Sequence, residues 1–191
     1  TGVPAGSTII AAYLYWGGSG ATVDTQVTLN GTAVTASRTF TVAVGGATSF
    51  GAFANVTAQV TGNGTYTFGN LTVDTSATYC NNQTVFGGWS LVVIYQRAAE
   101  PLRAINVFDG LQAFQGSQIS LVPDGFRIRP SGNDGKMIVV TWEGDPGNST
   151  PLNGFSEALQ FNGVTLDDGI NPPGSDPLIQ QFDGTINSLG L

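Results

Sequence analysis

The sequence predicts an all-β chain, an antiparallel β-sandwich or jelly roll of about ten to twelve strands. Three observations carry this. No segment keeps a 3.6-residue apolar period for three turns. Short runs rich in β-branched and aromatic residues recur along all 191 residues. Gly, Asn, Asp and Pro punctuate those runs at close spacing. One domain over 1–191 is expected. The charge shift near Glu100 is the one candidate boundary, yet the strands on either side of it are equally apolar and no linker composition intervenes.

Taken in order, Thr8–Trp16 is apolar on both faces, which suits a central strand. Gln26–Ala36 reads as a hairpin, because Asn30-Gly31 is a type I′ turn signal that sets Val27 against Val34 on the buried side. Phe40, Val42 and Val44 alternate with Thr39, Thr41 and Ala43. Thr65–Val73 places Tyr66 and Phe68 inward, then Leu71 and Val73, with Gly69 as a bulge signal. Gly88–Gln96 is the strongest strand of the chain. Leu102–Phe108, Gln118–Val122, Gly125–Arg129 and Lys136–Trp142 follow, and Ala158–Asn162 with Val164–Leu166 reads as a hairpin around Asn162-Gly163. Residues 50–62 and 151–158 each have room for a short helical turn. The tail 167–191 is rich in Gly, Pro and Asp, an ending that suits a strand in need of a partner.

Composition narrows function. There is no histidine, one lysine (Lys136), one cysteine (Cys80), and charged residues make up 10% of the chain against roughly 25% in ordinary soluble domains. Without His there is no Ser-His-Asp arrangement, no Cys-His pair and no imidazole proton shuttle. The three glutamates, Glu100, Glu143 and Glu157, show no spacing that marks a glycosidase dyad. A non-enzymatic role is expected.

The net charge of −7 falls in the second half, from Glu100 onward. No basic stripe is present to neutralise phosphates, so neither nucleic acid nor an anionic membrane surface is an expected partner. No apolar run approaches the length of a transmembrane helix. Thr1 in place of an initiator Met points to a removed leader or an excised segment. A strand surface that carries Thr, Ser, Asn and Gln where Lys and Glu normally block edge-to-edge pairing points to coverage by neighbouring subunits.

Several constellations bear on chemistry. Asp precedes Gly at 109, 124, 134, 168 and 183, a pairing that turn formation explains. Calcium is the alternative, with Asp167, Asp168 and Asp176 as the best local set of hard oxygens, although no D-x-D-x-D-G loop exists. Asn30, Asn55, Asn63, Asn70, Asn82 and Asn148 each begin an N-x-Ser/Thr sequon, and glycans there would supply solubility that charge does not. A Lys–Asn isopeptide crosslink would have to use Lys136, with Asn106, Asp109 and Glu143 as companions; a solvated lysine at a strand entrance is the simpler reading. Tyr13, Tyr15, Trp16, Trp89, Tyr95 and Trp142 are the aromatics from which a carbohydrate-stacking platform would be drawn, against core packing as the plainer role.

The segments AYLYWGG (12–18), GGWSLVVIYQ (87–96), LRAINVFDGLQ (102–112), VTWEGD (140–145) and LQFNGV (159–164) together resemble a β-sandwich module of large secreted and cell-surface, adhesin-like proteins of bacteria and archaea. The likeness runs from about Ile9 to Val164. It implies an extracellular location and a structural or adhesive part, and it carries no catalytic motif. The expectation is therefore a non-catalytic structural subunit of a filament, sheath or adhesin. It would associate with copies of itself or with neighbouring surface domains through strand edges or termini. A carbohydrate-binding module, with a glycan ligand and calcium as cofactor, is the alternative.

Overall fold

The computed structural model describes residues 2–114, 117–125, 127, 137–142 and 160–165. The chain divides into two compact units, Thr1–Ile138 and Val139–Leu191. Strands dominate the described residues, and every pairing between them is antiparallel.

In the first unit β1 (Thr8–Ser19), β2 (Gln26–Leu29), β3 (Thr32–Thr35), β4 (Arg38–Val44), β5 (Ala47–Asn55), β6 (Phe68–Gly69) and β7 (Gly87–Gln96) form two sheets. One has the order β4-β5-β1-β7 and the other β3-β2-β6. A 3-10 turn at Thr57–Gln59 and a single helical turn, α1 (Ala77–Cys80), are the helical elements among the described residues. In the second unit β8 (Gln160–Phe161) pairs with β9 (Val164–Thr165) around Asn162-Gly163, at the hairpin the sequence predicts.

Strand β1 is central, as its two apolar faces require, and it pairs with β5 on one side and β7 on the other. Its even-numbered face is the buried one. Ala12, Leu14 and Trp16 join Phe50, Ala52 and Ala54 from β5, and Val27, Leu29 and Val34 from β2 and β3, in one core cluster. Burying Leu14, Leu29 and Phe50 stabilises the fold by roughly 1.5–3 kcal/mol each. Trp16 is wholly buried and donates its indole N–H to the carbonyl of Asp24 at 2.8 Å, so its one polar atom is satisfied. Buried Ser19 likewise donates to the carbonyl of Asp74.

The Asn30-Gly31 turn forms as expected. Asn30 and Gly31 sit at φ 50° and 75°, and Val27 faces Val34 across the hairpin. Tyr66, Phe68, Leu71 and Val73 all pack against the core, although only Phe68–Gly69 is laddered. Gly69 pairs in register with Thr28; the bulge lies instead at Ile10, the extra residue between the Ile9–Tyr95 and Ala11–Ile94 pairs.

The short helical turn expected within 50–62 forms at Thr57–Gln59, after β5 ends at Asn55; the Gly45-Gly46 turn, at φ 58° and 82°, folds β5 back on β4. Phe40 is half-buried on the face of the four-stranded sheet opposite the core, because its partner Gly51 lies on that face. The strands expected at Leu102–Phe108, Gln118–Val122 and Lys136–Trp142 are corrected: the described residues there, 102–108, 118–122 and 137–142, are not in strands. Alternation there supplies apolar side chains, but a strand needs a partner edge, and Leu102 and Val122 stand about nine-tenths exposed at 91% and 89%. The strand expected at Gly125–Arg129 and the turn expected at 151–158 lie outside the described residues, wholly or for the most part.

Candidate functional site

The outer face of the four-stranded sheet, away from the core, carries the most developed side-chain cluster of the first unit. Register explains its composition. Arg38 on β4, Phe53 on β5, Tyr15 on β1 and Ser90 on β7 form one row across the sheet. Two residues along, Asn55 and Tyr13 are cross-strand partners, with Val92 beyond. Successive side chains of a strand alternate faces, so Phe53 with Asn55, and Tyr13 with Tyr15, share this side.

Phe53 is the hub. Its ring centroid lies 5.5 Å from that of Tyr13 and 5.1 Å from that of Tyr15, both tilted. Arg38 places its guanidinium carbon 4.0 Å over the Phe53 ring. The same guanidinium donates from Nε at 2.9 Å and from Nη2 at 2.7 Å to Oδ2 of Asp109. Asp109 therefore anchors the non-strand segment after β7 over the sheet. Leu111 follows it, lying where a side chain at Gly51 would reach, 3.6 Å from an ideal Cβ there.

Between these groups lies an open depression of about 310 Å³, lined by Tyr13, Tyr15, Arg38, Phe53, Asn55, Val107 and Asp109. The hydroxyl oxygen of Tyr15 is buried and has no hydrogen-bond partner among the described residues. Its pKa is raised above the ordinary value of 10.0, first by desolvation and then by the Asp109 carboxylate, with Arg38 acting in the opposite sense. Aromatic walls with amide, guanidinium and carboxylate groups at the rim make a surface suited to a polyhydroxylated ligand. Such a ligand presents C–H faces and hydroxyls together.

The expected site residues distribute unevenly. Tyr13 and Tyr15 line this depression, whereas Trp16 is core. Trp89 stacks on Phe68 at 5.5 Å, and Tyr95 lines a separate depression with Tyr66, Leu91 and Val93. Trp142 is half-buried. Asn30, Asn55, Asn63, Asn70 and Asn82 are all exposed, while Asn148 lies outside the described residues. So do Asp167, Asp168 and Asp176, and the described residues hold no group of three or more potential metal ligands.

For the crosslink, Lys136 and Glu143 lie outside the described residues, and Asp109 is engaged by Arg38. Glu100 pairs with Arg97 at 3.6 Å; Glu143 and Glu157 are not described. Gly125 takes φ 74°, in keeping with a turn at Asp124-Gly125. Cys80 is an exposed free thiol bonded to the Thr75 carbonyl.

Sequence reasoning missed Arg38, Phe53 and the grouping of Asn55 with them. The signal was Phe53-Ala54-Asn55, whose period of 2 places Phe53 and Asn55 on one face once β5 is read as a strand. No described helix is long and apolar enough to cross a membrane. In comparisons with family models, curated proteins and solved structures, the chain matches none of them.

Proposed function

We propose that the chain is a non-catalytic structural module of an extracellular assembly, such as a filament, sheath or adhesin, in which two sheets form a β-sandwich and strand edges join neighbouring copies. The observation that supports this is β7. It runs ten residues, Gly87–Gln96, and pairs only with β1 among the described residues. Among the described residues no strand pairs with its other edge, and neither Lys nor Pro lies along β7 to block an incoming strand. Leu91 and Val93 pack against the core while Val92 and Ile94 carry apolar surface on the other face. Strand addition by a neighbour's segment would complete the ladder and cover that surface. The adhesin-like resemblance agrees with this reading.

The test is the mass of the native particle by light scattering, with Val92→Lys/Ile94→Lys as the blocking variant and circular dichroism as a check on folding. Assembly that disappears in the folded variant supports the reading. A wild-type chain that stays strictly monomeric at high concentration overturns it.

A second reading, a carbohydrate-binding adhesive module, rests on the depression around Tyr13 and Tyr15. Titration with a panel of oligosaccharides, repeated after excess chelator, tests both the ligand class and a calcium requirement. Absence of heat or spectral change with every sugar would remove this reading.

A further inference from the structure

Two features set Asn55 apart from the other described sequons: the hydroxyl of its own third sequon residue bonds its amide, and it lines the aromatic depression. It is the last residue of β5 and is exposed, and both of its hydrogen bonds fall on the carbonyl Oδ1, which accepts from the Thr57 backbone N–H at 3.0 Å and from the Thr57 hydroxyl at 2.6 Å. The hydroxyl at the third sequon position is thus already bonded to the acceptor amide. Asn63 instead donates its nitrogen to the carbonyl of Val3, and Asn82 donates its nitrogen to Thr78. Asn30 and Asn70 hold left-handed backbone, at φ 50° and 62°, and the two bonds to Asn30 Oδ1 come from Thr67, not from its own sequon residue Thr32. Asn55 alone among them also lines the aromatic depression, with Phe53 two residues before it on the same face and Tyr13 directly across the ladder.

We infer that Asn55 is an N-glycosylation site whose proximal sugar seats in that depression, its C–H face against the ring of Tyr13 and its hydroxyls toward Arg38 and Asp109. The depression, at about 310 Å³, has the volume for a single hexosamine ring. Apolar contact on a flat ring, with polar groups at the rim, is the pattern that small-ligand recognition uses. In the transfer step the Asn55 Nδ2 attacks the anomeric carbon of a lipid-diphosphate-linked oligosaccharide. The new C–N bond replaces the C–O bond to the diphosphate, which leaves with the lipid, and the amide proton passes to a base of the transferase. Nothing is oxidised or reduced.

The inference rests on the extracellular reading only because such transfer acts on secreted chains. The experiment expresses the whole chain in a eukaryotic secretory host and, without glycans, in bacteria. Glycopeptide mass spectrometry reads occupancy at every sequon, and thermal unfolding reads the stabilisation that glycans confer. Asn55 is expected to be occupied, with a glycan-dependent gain in Tm of roughly 2–4 °C in a chain of this size. In Tyr13→Leu, which keeps apolar volume but removes the flat ring, that gain shrinks by half or more. An unoccupied Asn55 overturns the inference, and so does a gain that is the same in Tyr13→Leu. The assembly state of the unglycosylated chain reports on the extracellular assembly reading separately.

Discussion

Thr57 completes the hydrogen bonding of Ala12 where β5 ends. The Thr57 hydroxyl oxygen accepts the Ala12 N–H at 2.9 Å, while the Val56 N–H still donates to the Ala12 carbonyl. A side chain thus takes the place of the backbone acceptor that β5 no longer supplies to a wholly buried residue, and the chain can turn into Thr57–Gln59 without stranding a donor.

Replacing Thr57 by Val keeps the shape and removes the acceptor. The Ala12 N–H is left without its partner, and we expect the unglycosylated chain to lose about 1–3 kcal/mol in urea denaturation. Thr57→Ser should recover most of that loss. Equal stability of the Val and Ser variants would show that water satisfies Ala12 instead.

Arg38 acts on two partners at once. Asp109→Asn removes the ion pair, which is exposed on the Arg38 side, and should cost under about 1 kcal/mol, less at high salt. Arg38→Ala also removes the guanidinium from the Phe53 ring and should cost roughly 0.5–1 kcal/mol more. Both variants should raise proteolytic cleavage within 102–114, because Asp109 ties that segment to the sheet. Cleavage unchanged from wild type in both would mean that the ion pair does not hold the segment.

Tyr15 gives the fold an alkaline limit. Its folded pKa lies above the ordinary 10.0, chiefly through desolvation. A raised value means that the folded chain holds the phenolic proton after the unfolded chain has released it. This contribution is fully present below the unfolded pKa and is lost as pH rises through the folded one. Tyr15→Phe removes both the titration and a buried hydroxyl that has no partner among the described residues, so stability near neutral pH should rise by about 1 kcal/mol. The fall in stability above pH 10 should be shallower than in wild type. Superimposable alkaline unfolding curves for the two chains would refute this.

What the sequence by itself determined is local. A type I′ turn needs two residues with positive φ, so Asn30-Gly31 was legible, and the register then followed to Val27 and Val34. The same held for Thr8–Trp16, whose apolar faces on both sides admit only a central strand, and for the hairpin at Asn162-Gly163. Tertiary structure decided whatever depends on which edge finds which partner. Period 2 assigns Phe40 and Val42 to one face of β4, but only pairing with Gly51 and Ser49 settles that this face is the outer one. Leu102–Phe108 has the alternation of a strand and lies outside any ladder, since alternation specifies a face and not a neighbour. The depression needed both kinds of information. Phe53 and Asn55 share a face by local geometry, whereas Arg38 and Asp109, 71 residues apart, meet only because the chain after β7 crosses the outer face of the sheet. Long-range contacts of that kind leave no periodic trace in the residues that make them.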